Sequence, residues 1–430
     1  MAHFGVVAPA FYSHVSALSA LALALVERGH RVSFIQRPDA RVYLKDARLG
    51  FHAVGSDSHP PGSLTQSLRR AANPGSPLGL RRVIQDMADT TTRLCRELPA
   101  AIETLRIDAL LADQMEAAGG LVAESLGLPF VSVACALPVN REPGVPLPVM
   151  PFDWSASERS LHMFQGSTRV YDWMMTPHRR AIETASRALG IPLRGALHDC
   201  LSPLAQIGQT VAAFEFPRKA LPAHFTHVGP LRAASLRTPA RTDALPEIAS
   251  DRPFIFASLG TLQGHRFDIF KRVAKACRRL DAQLLLAHCG GLDARQAAAL
   301  EDLGATWVCA FAPQEAALAR ADAVVSHGGL NTVMDAVAAD TPILALPIAF
   351  DQPGVAARIR HAGIGLSASP RFTGTGGIER RLRRLLDEPD FARRCAPLAE
   401  SVRQAGGSER AADIVEAAFG IHIRGAVQHG

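Results

Sequence analysis

Lysine is nearly missing from this sequence, at positions 45, 219, 271 and 275 only, although lysine and arginine together number 46. The net charge of +6 and the pI of about 9.1 therefore rest on arginine. With the abundant alanine, that is the composition of a GC-rich bacterial coding sequence, and no nucleic-acid-binding motif accompanies it. The charge reads as solvated surface, so nucleic acid is not an expected partner. No apolar run reaches the roughly 18–20 residues that a membrane-spanning helix needs. The opening, MAHFGVVAPAF, has no basic segment followed by an apolar core. No secretory signal is expected, and the expected compartment is the cytoplasm. Seven cysteines (95, 135, 200, 277, 289, 309 and 395) include no CxxC pair. They read as small apolar residues in a reducing compartment, not as a metal or disulfide framework.

What remains is an ordinary globular composition, 48% hydrophobic and 20% charged, in a 430-residue chain long enough for two cores. It opens with a strand, HFGVVAPAF, then a short YSH loop and a helix. In that helix Leu18, Leu21, Ala22 and Leu25 recur at i, i+3, i+4 and i+7, so one face packs on a sheet. Gly29 ends the helix and RVSFIQ makes the next strand, a βαβ start that implies a parallel sheet with right-handed crossovers. Further strands are predicted at 107–113 and 129–134, with a helix from Met115 to Leu126 between them. Two Pro/Gly-rich stretches, 59–79 and 138–152, read as irregular and, lacking a core of their own, as walls of a binding pocket. The segment 154–200 reads as helical. Its Trp154, Met163, Phe164, Trp173, Met174 and Met175 are candidates to line an apolar cavity, with plain core packing the alternative. HVGPLR closes a first domain, 1–232, and the polar, proline-punctuated 233–252 reads as a linker. A second β/α series beginning at PFIFASLG fills 253–405, and 406–430 carries a terminal helix at about 408–419. The fold class is therefore α/β, two Rossmann-like doubly wound domains.

The most informative stretch is 311–352, FAPQEAALARADAVVSHGGLNTVMDAVAADTPILALPIAFDQ. An apolar strand ends at His327. Gly328 and Gly329 permit a tight turn, and Asn331 and Thr332 fall where the next helix begins. A helix start offers unpaired N–H groups and partial positive charge, which suits a phosphate. Asp335, one turn on, suits a ribose diol. A second apolar run delivers Asp351 and Gln352 to a strand end, where sheets of this kind bind their ligands. Anion donors, a diol acceptor and hydroxyl partners are what a diphosphate sugar requires. The alternative is a generic strand–loop–helix unit with a structural histidine.

That order closely resembles the donor signature of the UDP-dependent glycosyltransferases of the two-Rossmann-domain, GT-B type. The matching elements are APQ at 312–314, HGGxNT at 327–332, Asp335, Pro342 and DQ at 351–352. The resemblance implies that two domains face each other across a cleft and that the terminal helix crosses back onto the first. It implies that His327, Asn331 and Thr332 contact the diphosphate, Asp335 the ribose, and Asp351 and Gln352 the hexose. Gln314 and Gly329 belong to the same donor set, and Ser258 and Thr261, in SLGT after the second domain's first strand, approach the diphosphate. Phe311 stands where plant members carry a tryptophan that stacks on uracil; a core position is the alternative, with Trp307 in the preceding strand. UDP is thus the favoured nucleotide and TDP the alternative. There is no DxD motif, so no metal or other cofactor is expected; the UDP-sugar is a co-substrate.

His14 is the second informative residue. It follows the first strand in the loop at the sheet's C-terminal edge, where doubly wound folds place catalytic groups. A neutral imidazole there can take the proton of an acceptor hydroxyl as it attacks the anomeric carbon. Such a base needs a carboxylate on its other ring nitrogen. Asp113 ends the 107–113 strand at that same edge, whereas Asp108 sits at the opposite end. His14 with Asp113 resembles the dyad of inverting GT-B glycosyltransferases, which implies a β-glycoside from an α-linked donor.

Across the first 40 residues, and again through LNTVMDAVAADTPILALPIAFDQP, the sequence is similar to the bacterial zeaxanthin glucosyltransferases, a resemblance covering most of the chain. It implies UDP-glucose as donor and the terminal ring hydroxyls of a carotenoid as acceptor, taken one after the other. A polyketide, macrolide or other lipophilic metabolite is the alternative acceptor. A membrane-resident acceptor implies peripheral contact at the inner membrane face, for which the basic, partly amphipathic ERRLRRLL at 379–386 is a candidate; a plain surface helix is the other reading. A nucleotide-sugar 2-epimerase or a non-catalytic sugar-nucleotide sensor would bind the same donor, but neither needs His14 with Asp113. A nicotinamide dehydrogenase would need GxGxxG after an opening strand, and neither has it.

Overall fold

The computed structural model describes residues 1–56, 59–233 and 245–420. Among these, seven strands form one parallel sheet: β1 (His3–Val7), β2 (Arg31–Gln36), β3 (Gly50–Ala53), β4 (Ala109–Asp113), β5 (Phe130–Ala134), β6 (Gln206–Gly208) and β7 (Phe225–His227). Six more form a second: β8 (Phe254–Ser258), β9 (Gln283–Ala287), β10 (Trp307–Cys309), β11 (Ala323–Ser326), β12 (Ile343–Ala345) and β13 (Gly365–Ser367). The central strands β1, β4, β5 and β8 are buried along their whole length, as parallel strands covered on both faces must be. Their sequences are accordingly continuous apolar runs rather than alternating ones.

The covering helices of the first sheet are α1 (Tyr12–Glu27), α2 (Ser63–Ala72), α3 (Pro77–Leu105), α4 (Ala117–Leu126), α5 (Glu158–Met174) and α6 (Thr176–Ala188). Around the second sheet lie α7 (Gly260–Gln263), α8 (Phe267–Arg279), α9 (Ala294–Leu303), α10 (Gln314–Arg320), α11 (Leu330–Ala338), α12 (Gln352–Ala362), α13 (Thr375–Asp387) and α14 (Asp390–Gln404). The last helix, α15 (Gly407–Ala418), packs on α1 of the first domain. Arg28, capping α1, binds Glu409, Asp413 and Glu416 of α15 at 2.8 Å each, and His30 meets Glu416 at 2.9 Å. Of the linker expected at 233–252, residues 234–244 lie outside the described residues, as do 421–430. At its far end Leu245 and Ile248 pack against the second core.

Strand order decides where ligands go. The first sheet runs β3-β2-β1-β4-β5-β6-β7 and the second β10-β9-β8-β11-β12-β13. The order reverses between β1 and β4, paired through Val7 and Ala112, and between β8 and β11, paired through Ser258 and Ser326. Chains leaving such neighbours diverge to opposite faces and open a crevice at the strands' carboxyl ends. Here the two crevices face each other, and this is the GT-B arrangement of two Rossmann-like domains.

Three expectations change at this level. The stretch 59–79 is not irregular throughout, because Ser63–Ala72 forms α2. Its prolines and glycines all lie outside those ten residues, so they punctuate a helix rather than prevent one; Asp57 and Ser58 just before are outside the described residues. His14 lies in the first turn of α1, not in a loop before it. The basic 379–386 segment is part of α13, whose Ile378, Leu382 and Leu385 are buried in the second core. Its apolar side already has a partner and is not available to a membrane.

Candidate active site

Between the domains lies a cleft of about 2240 Å³. Small-ligand pockets run to roughly 1000 Å³, so there is room for two sizeable ligands. Both of the Pro/Gly-rich stretches wall it, through Leu64, Leu68 and Pro74 on one side and Leu147, Pro148 and Met150 on the other. Met174 and Met175 line it as well, but the rest of the expected aromatic and methionine set does not. Phe164 is buried against Phe152, Trp154 packs on His361, and Met163 and Trp173 are exposed.

The first-domain edge of the cleft carries His14. Its Nδ1 lies 2.7 Å from Oδ2 of Asp113, the last residue of β4. The other carboxylate oxygen accepts the Met115 N–H at 2.8 Å, which fixes the carboxylate plane. Asp108 is elsewhere, bound to the His3 N–H at 2.7 Å. Burial alone would lower the His14 pKa, but the charge and hydrogen bond of Asp113, with the charge of Asp351, outweigh it and raise the value above 6.5. Donor atoms of His14, Asp113 and Cys135 lie within 4.8 Å of one another. A metal would need the thiolate, yet burial pushes the Cys135 thiol well up. The trio is better described as a hydrogen-bonded imidazole–carboxylate pair with a neutral thiol beside it.

The second-domain edge carries the expected donor set. Ser258 ends β8 and accepts the Gly260 N–H at 3.3 Å; Thr261 follows on the short α7. Across the strand reversal His327 follows β11. Gly328 takes φ +83°, which only glycine adopts without strain, and so turns the chain into α11. Gly329 has an ordinary φ but lies so close to His327 that a Cβ there would stand 2.5 Å from the ring. The imidazole thereby lies close against the α11 start. Burial lowers its pKa to about 4, so it is neutral, and its Nδ1 has no hydrogen-bond partner. A neutral His327 can meet a diphosphate by hydrogen bonding, not by charge.

Asn331 and Thr332 lie in the first turn of α11 as expected. The Asn331 side chain spans the cleft: Oδ1 accepts from Gln209 at 2.8 Å and Nδ2 donates to the Ser13 carbonyl at 3.2 Å. Asp335 is not a free diol acceptor. It accepts from Gln314 at 2.7 Å and pairs with Arg232 at 2.7 Å. Asp351 and Gln352 stand at the start of α12, beyond a loop after β12, rather than at a strand end. Gln352 uses its carbonyl to hold that loop, accepting from Ile348 and Ala349 at 2.8 Å each. Asp351 accepts the Leu137 N–H of the opposite domain at 3.3 Å, and burial raises its pKa. Phe311 is 71% exposed on the cleft wall, so the core alternative is overturned; Trp307 lies in β10 against Phe254.

Sequence reasoning missed Gln209 and Arg232. Arg232 ends the quoted HVGPLR at the domain boundary, a position that could have drawn notice; Gln209 follows a three-residue strand too short to show any period. It also missed a buried group on the acceptor side, where Thr91 donates to Glu116 at 2.8 Å and touches His178 at 3.2 Å. Burial raises Glu116 to about 7 and lowers His178 to about 4.

Comparison with known proteins bears on the fold and the family. In solved structures, the kitacinnamycin glycotransferase superimposes with a TM-score of 0.75 at 20% identity, covering 97% of this chain and 99% of that one. The calicheamicin glycosyltransferase CalG4 gives 0.70 at 19%, covering 98% of each. At those identities the likeness speaks for the fold. In sequence, the zeaxanthin glucosyltransferase of Pantoea ananas is 52% identical over 416 residues, 97% of this chain and 96% of the relative. That of Pseudescherichia vulneris is 46% identical over 420 residues, 97% and 98%. The family model described as UDP-glucoronosyl and UDP-glucosyl transferase matches residues 5–400. With a GT-B cleft, a donor segment in the family's order and relatives at this identity over nearly the whole chain, this protein belongs to that family of glycosyltransferases.

Proposed function

We propose that this protein transfers glucose from UDP-glucose to the terminal ring hydroxyls of zeaxanthin, with inversion and with His14 as general base. The observation that carries the mechanism is the opposition of the two sheet edges. The His14–Asp113 pair stands across the cleft from the donor segment, and Asp351 is near enough for its charge to act on His14. With Nδ1 donating to Asp113, the Nε2 lone pair is free to receive the acceptor's proton. The acceptor oxygen then bonds to the anomeric carbon while the bond to the β-phosphate oxygen breaks, and its electron pair leaves with UDP. The N–H groups at the start of α11 and the His327 ring meet the leaving charge, so the reading requires no metal. Asp335 takes the ribose by exchanging its Gln314 or Arg232 contact, Asp351 and the free amide of Gln352 take the hexose, and Phe311 offers its exposed face to the base.

Zeaxanthin as acceptor is supported by the two relatives of that name and by a cleft with room beyond the donor for a long apolar molecule walled by Leu64, Leu68, Leu147 and Met150. A water-poor, membrane-resident acceptor further implies contact with a bilayer. The test is incubation of the purified chain with UDP-glucose and zeaxanthin, a macrolide or a flavonoid in detergent, followed by product mass. Addition of one and then two hexoses to zeaxanthin is expected. Transfer only to another acceptor would keep the mechanism and discard the substrate.

A further inference from the structure

A second groove of about 1690 Å³ straddles the two domains beside the main cleft and shares Pro74, Leu80, Ile84, Met174 and Ile348 with it. The shared residues make the groove and the cleft immediate neighbours. Its rim is unusual for a water-facing surface. Leu78 at the start of α3 is 70% exposed and Trp173 near the end of α5 is 76% exposed; both border the groove. Phe372, beside the groove residue Arg371, is 82% exposed. Isolated exposed apolar residues need no explanation, but a tryptophan and a leucine around one opening do.

The same rim carries exposed arginines. Arg81, Arg180 and Arg371 all border the groove, and none forms an ion pair among the described residues. Arg371 lies over the Phe372 ring at 5.4 Å. The acidic side chain bordering the groove is Asp268, which is paired with Lys271 at 2.9 Å. Large apolar side chains surrounded by unpaired cations are complementary to the headgroup region of an anionic bilayer: the aromatic ring enters the interface and the guanidiniums meet lipid phosphates.

We infer that this rim is the surface by which the protein docks on an anionic membrane, with the side groove as the passage for a lipid-dissolved acceptor into the cleft. The inference rests on the lipophilic acceptor proposed above and names the face involved. It also replaces the 379–386 segment, whose apolar side is buried. Leu78, Arg81, Trp173 and Arg180 do not line the main cleft, so changing them leaves the chemistry in place.

The test is co-sedimentation of the full chain, without any acceptor, with vesicles of phosphatidylcholine alone or with a third of phosphatidylglycerol. Binding only to the anionic vesicles is expected. Each arginine near such a surface contributes about fivefold, so Arg81→Ala with Arg180→Ala should weaken binding on the order of 20-fold. Trp173→Ser with Leu78→Ser should weaken it both at low salt and in high salt, where charge attraction is screened. Brominated lipid should quench the wild-type fluorescence and leave a Trp173→Phe variant unquenched, since Trp154 and Trp307 are partly buried. All variants should glucosylate detergent-dispersed acceptor at the wild-type rate, which separates failure of this inference from failure of the acceptor assignment. Equal binding by wild type and variants, or a dimer in solution that these substitutions dissolve, would overturn it.

Discussion

At the scale of single residues, the proposed chemistry turns on the proton inventory of His14. Burial works against the imidazolium, yet Asp113 and Asp351 hold the pKa above 6.5. The base must be neutral, so kcat/KM should fall as pH drops through that raised value, with an acid limb above pH 6.5. Asp113→Asn removes the largest raising influence and leaves the burial. The limb should then move to lower pH while the plateau rate falls on the order of 10²–10⁴-fold. A pH–rate profile of both proteins checks the shift, and a limb at the same pH in each would assign it to another group. The two glycines after His327 should separate cleanly. Gly329→Ala drives a Cβ into the imidazole at an ordinary φ, so UDP affinity should drop about tenfold, ~1.4 kcal/mol, with little change in melting. Gly328→Ala instead forces a side chain into φ +83° at a cost of about 1–2 kcal/mol of folding stability. Calorimetric titration with UDP and thermal melts distinguish the two. The positions of Asp113, at the end of an apolar strand, and of His14 and His327, shortly after one, were legible because strand ends are where doubly wound sheets bind; those of Asn331, Thr332, Asp335, Asp351 and Gln352, on α11 and α12, were legible through the order of the family's motif. Arg232 on Asp335 and Gln209 on Asn331 were not, since those partners lie 103 and 122 residues apart and no local pattern couples them.

At the scale of elements, long apolar strands and amphipathic helices announced themselves, and short or punctuated ones did not. The α1 pattern of Leu18, Leu21, Ala22 and Leu25 became a buried face, all four residues at 0% exposure. By contrast α2 hid between prolines and glycines, while the arginine-rich α13 is the plain surface helix of the second reading, with Ile378, Leu382 and Leu385 in the core. The least legible feature is on α12. Arg358 is fully buried, pairs with Glu215 of the opposite domain and lies over the Phe216 ring at 4.3 Å. For Glu215 burial pushes the pKa up, but Arg358 and Arg218 outweigh it and hold it below the usual range. That carboxylate therefore contributes stability present above its unfolded pKa and lost as pH falls. Arg358→Ala would leave Glu215 buried with Arg218 at 3.6 Å as its remaining charged neighbour. A loss of about 3–5 kcal/mol is expected, read by urea unfolding at neutral pH. Arg358→Lys should rescue only part of it, because a lysine cannot combine the fork with the ring contact.

At the scale of the whole molecule, two sheets with reversed strand orders make two crevices, and the proposed reaction puts the base in one and the nucleotide sugar in the other. α15 returns to the first domain through Arg28, and Arg358 of the second domain pairs with Glu215 of the first. On that proposal the donor site and the base belong to different domains and should fail independently. The most direct test is the His14→Ala protein, assayed for zeaxanthin glucoside formation and, in parallel, for UDP binding by calorimetry. The expected result is loss of at least 100-fold in product formation, within the range a general base supplies, with UDP affinity within about twofold of wild type. Wild-type turnover in that variant would contradict the assignment of the base, and with it the reading of the cleft as one reaction site shared by two domains.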